Sequence, residues 1–495
     1  MIGWIGDFFR FWWSLFYWNS RKGWFRIRGA HRDDCPCQNI SDSGLALDTR
    51  CDAIIHWHDP ARFRRVCPLL TETKDGWRCG VEAERVRPFW GRAAAYVAGF
   101  LLLLYAVGTL ATYAMLRSAN YEMSYFAVAW PPRWKELRDA QEKLYAARAQ
   151  QALQRGNYQE AILSLEMVCQ LNPRNYSAGI ALAGLTQIAS NTYVSERIYE
   201  RLMRDVPEQR VQTAQIWFRT LLARAAYDKI IPLSATMLSE DPSGRGAWLN
   251  AMLFAARRAA DHEALAEVLH QNPHLPDWCT EIINIERALL DNQLDGALPR
   301  LTKVYRQPPA SYLPYYQIDR LLHHGRPDQA NTLLNAYGNF LQPDEAAFLR
   351  LRVYQARKWS SLVGTEYENL LQFPMAPRIA AQFCAYLINQ PAAEPTARYY
   401  EKFVREGPPL ASDTIALYHA TYLVAALAGD AGRAERIRTR ITEYTSSDAR
   451  VLRGLVELLK APTGDPRLPR LLPLIPLPTE VVYAILERHS PVETK

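Results

Sequence analysis

The sequence predicts an all-α protein, a solenoid of paired helices preceded by one transmembrane helix. Three observations predict it. Prolines stop amphipathic helices at a near-constant interval through most of the chain. Small and aromatic residues recur at fixed offsets before those stops. A run of 24 residues, 93–116, carries no charge. With 49% hydrophobic residues among 495, the chain has enough apolar surface for a folded core. The net charge of +7 is concentrated early: residues 19–92 hold fourteen Lys/Arg against ten Asp/Glu. That is too sparse for the basic stripe of a nucleic-acid binder, and it fits charge next to a membrane.

The chain opens with residues 1–28, which hold nine aromatics between Trp4 and Trp18, interrupted by Asp7 and Arg10. Aromatic rings favour the headgroup boundary over the bilayer centre. A basic cluster, Arg21, Lys22, Arg26 and Arg28, follows. The segment is expected to lie in the plane of the membrane; a short second span and a soluble core helix are the alternatives.

Residues 29–92 form a small loop-rich segment. It gathers Cys35, Cys37, Cys51, His56, His58, Cys67 and Cys79. Thiolates and imidazoles are ligands of tetrahedral zinc, and a segment this short gains folding energy from a metal. The spacing is unlike paired Cys-x2-Cys knuckles, so structural zinc stands beside reduced thiols, disulfides and an iron–sulfur cluster. The later Cys169, Cys279 and Cys384 sit in helical patterns and are expected to pack as small apolar residues.

The uncharged run 93–116 is bounded by Arg92 and Arg117. At about 1.5 Å per residue it extends for about 36 Å, enough for a hydrocarbon core of about 30 Å. It is too far into the chain for a cleaved signal peptide. The twenty residues before it carry Lys74, Arg78, Arg85, Arg87 and Arg92, and the twenty after it carry Arg117, Arg133 and Lys135. That imbalance puts the N-terminal side in the cytoplasm. Beyond a linker, 117–135, the solenoid of residues 136–460 is expected in the periplasm if the source is bacterial.

The repeat is set by its stops. Helical patterns end at Pro173, Pro207, Pro242, Pro273, Pro308/Pro309, Pro343, Pro374 and Pro408/Pro409, at steps of 31 to about 35 residues. About seventeen residues before a stop stands a turn former: Gly156, Ala225, Gly325. A bulky ring follows: Tyr158, Tyr227, Trp359. About twelve before the stop is a small residue: Ala161, Ala297, Ala330, Ala397. A further unit shows Gly429 and Ala434 without a closing proline.

This pattern resembles the tetratricopeptide repeat family, best at residues 142–175. The resemblance implies about nine helix pairs, each stable only as part of the stack. It also implies a concave groove lined by the first helix of each pair, holding a protein partner. Groove-facing candidates are Gln215, Arg219, Arg257, Tyr312, Tyr315 and Asp319. The carboxylate clamp of some relatives is missing: Gln150 and Gly184 stand where Asn is needed.

The tail, 461–495, is proline-rich and then briefly helical, and is expected to cap or lie along the last unit, or to serve as a docking peptide. No phosphate loop, dinucleotide fingerprint, His-Glu-x-x-His or nucleophile elbow is present, so nothing points to an enzyme or a small-molecule substrate. The expected function is a membrane-anchored interaction scaffold touching a lipid bilayer and a protein partner, by analogy in envelope assembly or export. A metal or redox sensor and an accessory subunit of a membrane enzyme are the alternatives.

Overall fold

The computed structural model describes Trp12, Phe16 and residues 38–40, 47–49, 70–73, 76–79, 83–119, 121–445, 450–460 and 465–489. Six of the seven proposed metal ligands, Cys35, Cys37, Cys51, His56, His58 and Cys67, lie outside the described residues, and of Cys79 only the backbone is described. The chain forms two compact units, 1–144 and 145–495.

In the first unit, strands β1 (Gln38–Ile40) and β2 (Leu47–Thr49) pair antiparallel, as do β3 (Leu70–Thr73) and β4 (Gly76–Cys79). The segment expected to be loop-rich therefore contains two short hairpins. Helix α1, Ala83–Ser118, runs for 36 residues and starts ten residues before the uncharged run. Its stretch Val97–Ser118 is apolar enough and long enough to cross a membrane, and almost none of it is buried. Helix α2 (Tyr125–Ala129) folds back along it. Tyr105 donates to the Ala129 carbonyl at 2.5 Å, the hydroxyls of Thr109 and Tyr125 meet at 2.9 Å, and Tyr113 packs edge-on to Tyr125.

Among the described residues nine helix pairs follow. They are α3/α4 (Trp134–Gln154, Tyr158–Leu171), α5/α6 (Tyr176–Ile188, Thr192–Asp205) and α7/α8 (Arg210–Ala223, Tyr227–Glu240). Next come α9/α10 (Arg245–Ala259, His262–Gln271), α11/α12 (Asp277–Leu290, Leu294–Leu301) and α13/α14 (Tyr312–His323, Pro327–Tyr337). The last three are α15/α16 (Pro343–Ala356, Ser360–Gln372), α17/α18 (Pro377–Asn389, Ala393–Glu406) and α19/α20 (Ile415–Leu427, Ala431–Thr445). From Tyr176 to Pro377 the first helices begin at steps of 34, 35, 32, 35, 31 and 34 residues. Each packs on its own partner, and α9, α11, α13 and α15 also pack in series, the contact pattern of a tetratricopeptide-like solenoid.

The turn inside each pair explains the recurring small residue. Eight of the nine turns hold one left-handed residue: Gly156, Ser190, Ala225, Ala260, Asn292, Gly325, Lys358 and Gly429. After each, the next residue's N–H returns to the carbonyl five residues back, as in Asn157 to Ala152 at 2.9 Å and Trp359 to Tyr354 at 2.9 Å. This closure satisfies the last carbonyls of the first helix. Asn157, Asn191 and Asp261 then accept from backbone N–H groups and start the second helix. Five residues past the left-handed position the side chain packs between helices: Ala161, Ala297 and Ala330 are fully buried, and Val363, after Lys358, is partly buried. In the eighth pair, whose turn contains Pro391, Thr396 is the buried residue and Ala397 sits one place beyond it.

Among the described residues the buried side chains form two cores. A small one joins the first two pairs through Leu165, Val168, Leu182, Ile198, Tyr199 and Leu202. A large one runs from Ala214 to Leu486, through pairs three to nine and the tail. Cys169, Cys279 and Cys384 are buried, and burial pushes the thiols of Cys279 and Cys384 up to about 12, which keeps them protonated and inert.

A candidate binding groove

Helix α21 (Arg450–Lys460) packs on α19, and helix α22 (Leu468–Leu471) packs on α21. The chain then leaves the last pair. Residues 472–474 reach α7, and helix α23 (Thr479–His489) lies on α17 and α7. Expected along the last unit, the tail instead joins the third pair to the eighth.

The amphipathic pattern of α23 accounts for this placement. Val481, Val482, Ala484, Ile485 and Leu486 are buried, while Glu487 is exposed. Tyr483 lies edge-on to Phe254 of α9 at 4.6 Å and tilted against Phe218 of α7 at 6.3 Å. Arg488 donates to the Ile388 carbonyl at the end of α17. His419 of α19 and the Pro476 carbonyl are 3.0 Å apart, so the neutral ring donates there through Nδ1. All these partners belong to first helices, which identifies the wall they form as the inner one.

Four of the six expected groove residues meet on this wall. Arg257 pairs with Glu286 of α11 at 3.3 Å, and Tyr316 donates to the same carboxylate at 2.7 Å. Glu286 is 1% exposed; burial pushes its carboxyl up, but Arg257 and Arg320 outweigh that and hold it below the ordinary range. Asp319 accepts from Arg320 at 2.6 Å and from Arg352 of α15 at 2.7 Å. Here too burial raises the pKa, and the two guanidinium groups more than reverse it. Tyr312 stacks on Tyr315 at 6.2 Å and donates to Asn250 at 3.1 Å. Burial pushes the Tyr315 hydroxyl up to about 12, so it stays a neutral donor.

Gln215 and Arg219, also on α7, are exposed and stand outside this cluster. Sequence reasoning missed Glu286, Tyr316, Arg320 and Arg352, and it missed Tyr483 and Glu487 as occupants of the groove. One signal was available: Glu286 falls within the apolar stripe of "EIINIERALL", where a charge needs a partner. Among the described residues no group of three or more His, Cys, Asp or Glu could hold a metal.

No family model and no curated protein matches this sequence. Among solved structures it is similar to the crystal structure of the APC/C hetero-tetramer Cut9-Hcn1, at 13% identity over 78% of this chain and 83% of that one, with a TM-score of 0.29. At so loose an overlap, the helix-pair architecture is read from this chain's own packing.

Proposed function

We propose that the chain is a membrane-anchored scaffold whose solenoid holds a protein partner. The observation that carries this reading is the seated α23: the inner wall already accepts an amphipathic helix along its first helices, through the Tyr483 ring between Phe218 and Phe254. Helix-in-groove recognition uses the same physics in trans. The anchor is the apolar stretch Val97–Ser118. Its support is the exposed side chains of Leu101, Leu102, Leu103 and Leu104, which no other described residue covers. Beside it the rings of Phe126, Trp130 and Trp134 are also exposed, as aromatic residues are at a membrane boundary. The flanking charge supports a solenoid on the side opposite residues 19–92, and a role in envelope assembly or export is drawn by analogy.

Two experiments test this. Carbonate extraction with a C-terminal reporter fusion should leave the chain in the membrane with the reporter on the side opposite residues 19–92, the periplasmic side if the source is bacterial; release into the soluble fraction overturns the anchor. A photoreactive residue at Gln215 or Arg219, both exposed on α7, should give one discrete protein adduct in native membranes. No adduct from either position overturns the scaffold.

A further inference from the structure

The occupied groove raises a question the scaffold reading leaves open: how a partner enters. Three features of the seam between α23 and the wall answer it.

The wall is paired without the tail. Arg257 with Glu286, Tyr316 with Glu286, and Asp319 with Arg320 and Arg352 are all contacts between first helices or within one. Loss of α23 would not orphan these charges. Among the described residues two hydrogen bonds join the helical end of the tail to the wall, from His419 to the Pro476 carbonyl and from Arg488 to the Ile388 carbonyl.

The seam is imperfectly satisfied and partly wet. Nη1 of Arg258, the hydroxyl of Tyr227 and Nε2 of His489 are buried without a hydrogen-bond partner. Arg258 lies over the Phe254 ring that Tyr483 contacts, and Tyr227 packs edge-on to the same ring. A buried polar atom left unmatched costs stability that a better-fitting occupant recovers. Tyr315, Asp319, Arg352 and Tyr483 are all only half-buried, and Glu487 is exposed, so water already reaches this part of the groove.

The wall is also rich in arginine. Arg257, Arg258, Arg320 and Arg352 outnumber the carboxylates around them, Glu286, Asp319 and Glu345. The tail brings Glu487, whose charge acts on Arg258 and Arg352. What holds α23 is therefore an apolar face, two hydrogen bonds and the charge of Glu487 acting at longer range, with no ion pair between α23 and the wall among the described residues.

We propose that α23 is a displaceable occupant of the groove, and that the partner enters by replacing it with an acidic amphipathic helix. The replacing helix carries an aromatic ring in the place of Tyr483 and a carboxylate four residues later, in the place of Glu487. Aliphatic residues stand where Val481, Val482, Ile485 and Leu486 are. The groove is not emptied in the exchange, because an empty one would expose Phe218 and Phe254. This rests on the scaffold reading and specifies its site and its partner's chemistry.

The test uses the full chain in detergent micelles and a fluorescein-labelled peptide with the sequence of residues 476–491. A double variant, Tyr483→Ala with Glu487→Lys, weakens the resident helix. It should bind the peptide at least tenfold more tightly than the unaltered chain, by fluorescence anisotropy. A peptide carrying the change of Glu487 to Lys should bind at least tenfold more weakly than the unaltered peptide. A double variant that keeps its helical circular dichroism and cooperative melting yet gains no affinity overturns the proposal.

If the variant fails to fold, hydrogen exchange on the unaltered chain decides. Amides of α23 exchanging at least tenfold faster than those of α17 beneath them support displacement. Equal rates overturn it, because α23 would then open only with the whole fold. Peptide exchange without any protein adduct from Gln215 or Arg219 would leave the groove standing and remove the scaffold, so the two failures are separable.

Discussion

Tyr158, Tyr193 and Tyr227 stand in the first turn of the second helices of the first three pairs, and they meet different fates. Tyr158 is 56% exposed and Tyr193 is 66% exposed, whereas Tyr227 packs against Phe254, which in turn contacts Tyr483 of the tail. The difference extends to whole regions. Pairs one and two share a small core that meets the rest at the stacked rings of Tyr199 and Trp217, 5.9 Å apart. Pairs three to nine share one continuous core that includes α23. In the first region each pair depends on its neighbours alone, as in a one-dimensional stack. In the second, a segment from beyond the last pair ties the third pair to the eighth. One repeat unit thus supports two kinds of stability, and the difference lies in what covers the inner wall.

That comparison can be broken or sharpened by substitution. The largest effect is expected from Asp319→Ala. It leaves the buried Arg320 without its carboxylate, and the cost expected for an unpaired buried charge is about 4 kcal/mol. Chemical denaturation with hydrogen exchange should show the loss across α9 to α17 and not in α4 to α6. A loss spread evenly would mean the two regions unfold as one.

The same carboxylates set an acid limit. Glu286 and Asp319 have folded pKa values below their ordinary 4.5 and 3.8, so the unfolded chain takes up protons first as pH falls. Their contribution is complete above those ordinary values and is lost as pH drops through and below them. Thermal melts should therefore steepen in pH dependence below about pH 4. Asp319→Asn should flatten that limb; an unchanged slope would assign acid sensitivity elsewhere.

Tyr483→Ala is expected to cost about 3 kcal/mol, from the loss of a large ring in an aromatic cluster. Its mirror is Leu202→Ala, at the fully buried centre of the first region, with a similar cost of about 3 kcal/mol. The first should raise exchange in α7, α9 and α17, and the second only in α4 to α6. Crossed effects would dissolve the boundary at Trp217.

The smallest effect concerns the turns, which are alike in both regions. Lys358 holds φ of 58°, a left-handed conformation that strains a side-chain-bearing residue. Lys358→Gly should stabilise by about 1 kcal/mol and raise the melting temperature by a few degrees. Gly156→Ala, at φ 72° in the first pair, should destabilise by a similar amount.

The helix pairs were readable because their causes are local. Pro173, Pro207 and Pro242 end helices wherever the chain goes, and Gly156, Gly325 and Gly429 mark turns that need a left-handed residue. The reading slipped at Ala397, where Pro391 replaces the left-handed turn and moves the buried position to Thr396. It also took Arg257, Tyr312, Tyr315 and Asp319 as one surface, and the structure brings those four together. Gln215 and Arg219 lie apart from them, because position along α7 does not by itself say which side the tail will cover.

The sequence alone therefore determined the all-α class, the near-34-residue pairing and the apolar stretch within α1, since each follows from contacts or composition within about one repeat. Only the tertiary structure decided what fills the groove. Tyr483 meets Phe218 across 265 residues of chain, Asp319 finds Arg352 one repeat away, and Glu286 finds Arg257 on the preceding first helix. Such partners are chosen by the curvature of the stack, which is the summed rotation of many pairs and is written in no single one of them.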